Sequence, residues 1–288
     1  MTRTPEWDDL VGLWLDRRAQ ILWRRHSDAV NTRLAGAWLP NAAARVLKTD
    51  LFDEAVSGGV LPVVTKRGAE LVGIDLSPAV VKAAAARTEH IEAQVADVRA
   101  LPFPDESFDA VFSNSTLDHF ESRDDIVVSL RELHRVLRPG GTLVVTLDNP
   151  WNPLVALSKA LPRRWLNETW NRHASGLGKV GVLPYQVGMT MSAPALGRTL
   201  VGVGFTIEET TAVMHAPRLP AVLVGSVLER RAGRPTQERF LELLMRCEGM
   251  RDRRTRLVTG MFVAIRATRG QESPCASSND GPAASSTQ

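Results

Sequence analysis

At 288 residues, with 44% hydrophobic side chains, the chain can bury a sizeable core, and a net charge of only +3 argues against a nucleic-acid footprint. Cys247 and Cys275 are too few for a disulfide framework, and no run approaches the ~20 apolar residues that span a bilayer. The opening Met-Thr-Arg-Thr-Pro-Glu-Trp-Asp-Asp lacks the basic-then-apolar order of a signal peptide, so a cytoplasmic location is expected.

Residues 6–39 carry Trp7, Leu10, Val11, Trp14, Leu15, Ile21, Leu22, Trp23, Leu34 and Trp38 at helical spacing, with Pro40 as the stop. They are expected to pack over the rest as helices; contributing a Trp-bearing lid is the sharper reading. Strands are expected at 45–49, 70–74, 91–96, 108–113 and 142–147, each a short apolar run ending in polar residues. Ser77 with Pro78 marks a helix start. Ser122 with Asp125 forms a capping-box pattern for a helix over about 124–137, which Pro139-Gly140-Gly141 should end. Residues 149–198 break the alternation, with Trp151, Trp165, Trp170 and Tyr185 among Gly and Pro. A helix and strand are expected over 195–210, another amphipathic helix around Phe240–Cys247, and a closing strand over 257–267. The Arg-rich stretch 230–256 is interleaved with acids and suits a solvated surface. From Gly270 onward Ser, Pro, Ala and Asn dominate, as in a disordered tail. The expected division is thus a helical segment over 1–40, a main domain over 41–269 with a cap inserted at about 149–198, and a tail over 270–288.

Strands alternating with helices define a parallel α/β sheet, whose ligands bind at the carboxyl ends of the strands. Leu-Val-Gly-Ile-Asp-Leu-Ser-Pro (71–78), Ala-Asp-Val-Arg-Ala-Leu-Pro-Phe (96–103), Phe-Asp-Ala-Val-Phe-Ser-Asn-Ser (108–115) and Leu-Arg-Pro-Gly-Gly-Thr-Leu (137–143) follow one another in this order. Together they resemble the class I S-adenosylmethionine-dependent methyltransferases, most closely the group that acts on small molecules. The resemblance covers roughly residues 44–148, and more loosely 200–267. It implies a Rossmann-like sheet, mostly parallel with a closing antiparallel strand, and S-adenosylmethionine as cofactor.

A carboxylate at the end of the second strand accepts both hydroxyls of a ribose, and Asp75, followed by Leu76, stands there. The resemblance assigns this role to the matching position. It also implies that Asp97 accepts from the adenine amine while the backbone N–H of Val98 donates to the ring. Ser113 and Asn114 end the fourth strand and should face the same crevice. The first strand departs from the family: Lys48-Thr49-Asp50-Leu51-Phe52-Asp53-Glu54 stands where a glycine-rich turn should follow, and no glycine appears before Gly58-Gly59. Such a turn brings backbone close to the ligand, which this one cannot do in the same way. Three carboxylates crowd it instead, and Asp50 or Asp53 is expected to pair with the cofactor's ammonium.

Methyl transfer from a sulfonium is an in-line displacement in which positioning supplies much of the rate. If the acceptor must lose a proton, His119 is the best-placed base, although a place in the pocket wall suits it too. His134 reads as structural, and His173 and His215 as weaker candidates. Trp151 and Tyr185 are candidate substrate contacts. The expected reaction is methyl transfer to a small organic acceptor, an apolar one suiting the Trp-bearing cap, with oxygen ahead of nitrogen and carbon. The alternative is a non-catalytic binding module on the same fold that has lost productive cofactor binding. The His and Cys show no zinc-type spacing, and a short basic amphipathic helix near 154–166 leaves membrane-surface contact as a minority reading.

Overall fold

The computed structural model describes residues 20–87, 89–160 and 188–270, with side chains throughout except at 158–160. The chain starts with α1 (Ile21–Trp38) and β1 (Arg45–Lys48), followed by the short helices α2 (Phe52–Val56) and α3 (Leu61–Lys66). Then come β2 (Glu70–Asp75), α4 (Pro78–Arg87), β3 (Ile91–Val95), β4 (Phe108–Asn114), α5 (Arg123–Val136), β5 (Leu137–Asp148) and α6 (Pro153–Ala160). The C-terminal part holds α7 (Ala193–Val203), β6 (Phe205–Val213), α8 (Arg218–Arg231), α9 (Arg234–Cys247), α10 (Arg256–Thr259) and β7 (Phe262–Arg269).

The strands form one seven-stranded sheet in the order β3-β2-β1-β4-β5-β7-β6. β1 to β5 pair in parallel, and β7 runs antiparallel between β5 and β6. Both faces are covered, so successive strand residues alternate between two apolar layers rather than between core and water. Leu47, Val72, Val111 and Val145 meet Ile126, Leu130 and Leu133 of α5 and Leu196 and Leu200 of α7. Their neighbours Val46, Leu71, Ala110 and Val144 meet Val30, Leu34 and Trp38 of α1, Val64 of α3 and Ala84 of α4. The start of α1 rests on the C-terminal helices, with Trp23 packed among Ala221, Val222 and Leu244.

The capping box forms as the sequence implies: Ser122 Oγ accepts from the Asp125 N–H at 3.1 Å and opens α5. Two boundaries differ from expectation. β5 begins at Leu137, because Leu137 already pairs with Phe108 across an irregularity that takes up Arg138 to Gly141. Residues 256–259 are helical, and the closing strand starts only at Phe262, where pairing with Asp148 begins.

Candidate cofactor crevice

The sheet order reverses at β1, whose neighbours are β2 on one side and β4 on the other. Connections leave in opposite directions there and open a crevice at the carboxyl edge. Residues 49–54 after β1, Asp75 at the end of β2 and Ser113–Asn114 at the end of β4 all face this place. Asp75 Oδ1 accepts from the Ser77 N–H at 2.8 Å and Oδ2 from the Leu51 N–H at 3.2 Å. Burial raises its pKa, and these two donors oppose that rise. The Thr49 hydroxyl donates to Ser113 Oγ at 2.9 Å and lies 2.8 Å from that of Thr116, a hydroxyl chain across the ends of β1 and β4. Just past Asn114, Ser115 has φ 48°, and its N–H donates to Thr146 Oγ1 at 3.0 Å. Leu76 is half-buried at the head of α4.

The glycine-poor turn is built around an ion pair. Lys48, the last residue of β1, is fully buried, and its Nζ lies 2.8 Å from Glu54 Oε2. It also donates to the Asp50 carbonyl oxygen and stands 4.0 Å from Asp50 Oδ1. Burial alone would lower the lysine's pKa, but the charges of Glu54, Asp50 and Asp53 hold it above its ordinary value. Glu54 Oε1 accepts from the Val60 N–H at 2.9 Å. Gly59 leaves room for that carboxylate: it has φ +51°, and a Cβ there would fall 2.0 Å from Glu54 Oε1. Leu51 is buried against Gly73 of β2, where a Cβ would fall 2.3 Å from Leu51 Cδ2.

The other two carboxylates of the turn remain at the crevice. Asp50 Oδ1 accepts from the Phe52 N–H at 2.9 Å. Its pKa is pushed up to about 7, chiefly by burial, with Asp75 and Asp53 adding to the rise and Lys48 opposing it. Asp53 Oδ2 accepts from the side-chain amides of Asn31 at 3.3 Å and Asn114 at 3.4 Å. Asn114 is only 6% exposed, and its Oδ1 has no hydrogen-bond partner among the described residues. An acceptor of this kind beside surplus carboxylates fits a cationic, hydrogen-bond-donating group such as the ammonium of S-adenosylmethionine.

Asp97 follows β3 and is engaged from below. Its carboxylate accepts from the Arg99 N–H at 2.9 Å and from the Arg99 guanidinium at 2.6 Å, while the same guanidinium reaches Asp125 Oδ1 at 2.8 Å. Burial would raise the pKa of Asp97, but the hydrogen bonds from Arg99 outweigh it and lower it. A carboxylate offers about four acceptor sites, so Arg99 fixes its orientation without exhausting it. Val98 is buried beside it.

His119 closes a 3-10 turn (Leu117–His119) after β4. Asp118 does not use its Oδ2 on the imidazole: that atom accepts from the Ser115 hydroxyl at 3.2 Å and the Asp148 N–H at 3.1 Å. Gly188 presses on this turn, since a Cβ there would fall 2.1 Å from the Asp118 carbonyl oxygen, and the Met189 N–H donates to the Phe120 carbonyl at 2.6 Å. Trp151 is 45% exposed and lines an open groove of about 540 Å³ with Pro194, Arg198, Val201, Ile207 and Leu257. Tyr185, Trp165, Trp170 and His173 lie outside the described residues, as do Trp7 and Trp14. His134 stacks edge-on against Phe205 at 5.0 Å, and His215 sits in a buried cluster with Glu248. Among the described residues no group of His, Cys, Asp and Glu is arranged to hold a metal ion. The sequence reading missed Lys48, Asn31 and Arg99 as parts of the site; a lysine closing an apolar strand run and a Glu six residues on were the available signal.

This site sits on a chain with clear relatives. The family described as "Methyltransferase domain" matches residues 54–145, starting at the last residue of the glycine-poor turn. A demethylmenaquinone methyltransferase of Thermus thermophilus is 32% identical over 210 residues, covering 69% of this chain and 88% of that protein. A malonyl-[acyl-carrier protein] O-methyltransferase of Coxiella burnetii is 40% identical over 84 residues, 29% of this chain and 27% of that one. Among solved structures, an S-adenosylmethionine-dependent methyltransferase from Mesorhizobium loti superposes with a TM-score of 0.53 at 22% identity, covering 85% of this chain and all of that one. The chain belongs to the class I S-adenosylmethionine-dependent methyltransferases. It is therefore an enzyme of that family, with S-adenosylmethionine as its cofactor.

Proposed function

We propose that this enzyme methylates a small organic acceptor with an apolar part, oxygen being the acceptor atom. The cofactor supplies an electrophilic methyl group on a sulfonium. Asp75 holds the ribose hydroxyls, with Leu76 beside them; Asp97 and the Val98 N–H hold the adenine; Asp50 or Asp53, with Ser113 and Asn114 at the end of β4, holds the amino-acid end. The observation that carries this reading is the meeting of Asp50, Asp53, Asp75 and Asn114 at the β1 switch point, where the Asp75 carboxylate reaches the turn backbone directly. Residues 149–198 are proposed as the cap over the acceptor, with Trp151 as a contact and His119 as the base where a proton must leave. The apolar groove at Trp151 supports an apolar acceptor. So does the name of one relative, which gives demethylmenaquinone as substrate; the name of another, a malonyl-[acyl-carrier protein] O-methyltransferase, supports oxygen. Among the described residues no helix is long and apolar enough to cross a membrane.

Isothermal titration with S-adenosylhomocysteine tests the cofactor part. Asp75→Ala should weaken binding about tenfold to a hundredfold, the range for losing a charge-assisted hydrogen-bond partner. An unchanged affinity in a folded variant would remove Asp75 from the site. Mass spectrometry of ligands co-purified with the enzyme, followed by NMR of the methylated product, tests the acceptor class and atom.

A further inference from the structure

The first turn has lost its glycines, yet it is neither open nor irregular. Lys48 is buried at the end of β1, its ammonium paired with Glu54 Oε2 at 2.8 Å and donating to the Asp50 carbonyl oxygen. Glu54 is buried as well, locked by the Val60 N–H at 2.9 Å and by the space that Gly59 leaves for it. A lysine in a core is costly unless paired, so the surroundings are built to keep it there. Its bond to the Asp50 carbonyl turns that oxygen inward. A glycine-rich turn offers backbone to the ligand; here the backbone oxygen is spent on Lys48, and the Asp50 side chain, 24% exposed, is what remains at the crevice.

We propose that Lys48, pinned by Glu54, is a positioning residue for the cofactor: it draws the Asp50 carbonyl into the core and thereby presents the Asp50 carboxylate to the cofactor's amino-acid end. The pair thus replaces backbone recognition of that end by side-chain recognition, at the place where the family's glycine-rich sequence is missing. The cation also offsets part of the negative charge that gathers at the turn, opposing the rise in the Asp50 pKa that burial imposes. This inference rests on the proposed cofactor site, since it assigns the amino-acid end to the turn after β1.

The test uses the full chain and two probes, S-adenosylhomocysteine and adenosine, which lacks the amino-acid end. Either single change, Lys48→Met or Glu54→Gln, strands a buried charge and should lower the melting temperature. Lys48→Met with Glu54→Gln removes both charges together while an amide oxygen still accepts from the Val60 N–H, which avoids the cost of breaking a buried ion pair from one side. That double variant should melt near the wild type, bind S-adenosylhomocysteine about tenfold or more weakly, and bind adenosine within about threefold of the wild type, a ratio of affinities that a general loosening would not change. A folded double variant with the wild-type ratio overturns the proposal, as does equal loss of both ligands. Should it fail to fold, Lys48→Arg decides: a planar guanidinium cannot reproduce the compact contact with both the Asp50 carbonyl and Glu54, and the ratio should fall about threefold or more, an unchanged ratio overturning the proposal. A wild-type chain that binds neither probe would instead refute the cofactor site itself.

Discussion

Asp50 carries a carboxyl pushed up to about 7, first by burial and then by Asp75 and Asp53, against the pull of Lys48. The sign of its linkage follows. Between about pH 4 and pH 7 the folded chain holds a proton there that the unfolded chain has released, so this group's contribution to stability falls as pH rises through that window. A ligand ammonium paired with Asp50 favours the ionised form, so S-adenosylhomocysteine should bind about tenfold more tightly at pH 8 than at pH 5.5, a unit of drawn-down pKa being worth a factor of ten. Asp50→Asn should flatten that profile and stabilise the ligand-free protein at pH 8; a flat profile in the wild type would contradict the assignment. Gly59 offers a second prediction at this scale. Gly59→Ala combines a left-handed φ of +51° with a Cβ 2.0 Å from Glu54 Oε1, and should cost about 2 kcal/mol or more in a urea titration. A loss under about 0.5 kcal/mol, the range of an ordinary surface change, would mean that Glu54 is not held as described.

The elements that brace the site are α1 and the segment returning at Gly188. From α1, Asn31 holds Asp53, the Thr32 hydroxyl donates to the Gly59 carbonyl at 3.1 Å, and the Arg24 guanidinium lies 5.5 Å from the Phe52 ring centre. Most strands were legible in the sequence because each is a short apolar run with a polar end, and α5 because Ser122 and Asp125 flank its apolar stripe. The placing of Asp75 and Asn114 at neighbouring strand ends was legible because apolar runs mark where the strands stop. The brace from α1 was not, since Asn31 and Asp53 are 22 residues apart and nothing local links them. Nor was the start of β5 at Leu137, because Pro139-Gly140-Gly141 reads as a break and only pairing with Phe108 reveals the strand. Gly188 carries the element-scale prediction. Gly188→Ala puts a methyl 2.1 Å from the Asp118 carbonyl oxygen, so the turn bearing His119 must shift. Methyl transfer should fall about tenfold or more, in keeping with the sensitivity of catalysis to small misplacements, while the dissociation constant for S-adenosylhomocysteine changes little. Equal loss of both would count against a separate acceptor-side role for this turn.

Across the whole molecule, a sheet covered on both faces fixes the crevice, and buried polar clusters tie the outer helices to it. The Glu248 carboxylate accepts from the Met214 N–H at 3.1 Å and the His215 N–H at 2.8 Å, and lies 3.5 Å from His26 of α1. Burial alone would raise the pKa of Glu248, but His26 and His215 bring it below its ordinary value, so its contribution is present at neutral pH and lost as the solution is acidified through that lowered pKa. Glu248→Ala should cost about 3 kcal/mol, because it strands two backbone donors and a buried histidine; calorimetry showing no change in melting temperature would remove this cluster from the structural frame. A turn without glycines should thus still bind S-adenosylmethionine at the β1 switch point, through side chains. A crystal structure of the enzyme with S-adenosylhomocysteine tests it most directly. The ribose hydroxyls should lie on Asp75, the adenine beside Asp97 and Val98, and the ammonium within hydrogen-bonding distance of Asp50 or Asp53. A ligand whose amino-acid end lies away from both carboxylates, or that sits elsewhere on the sheet, would contradict it.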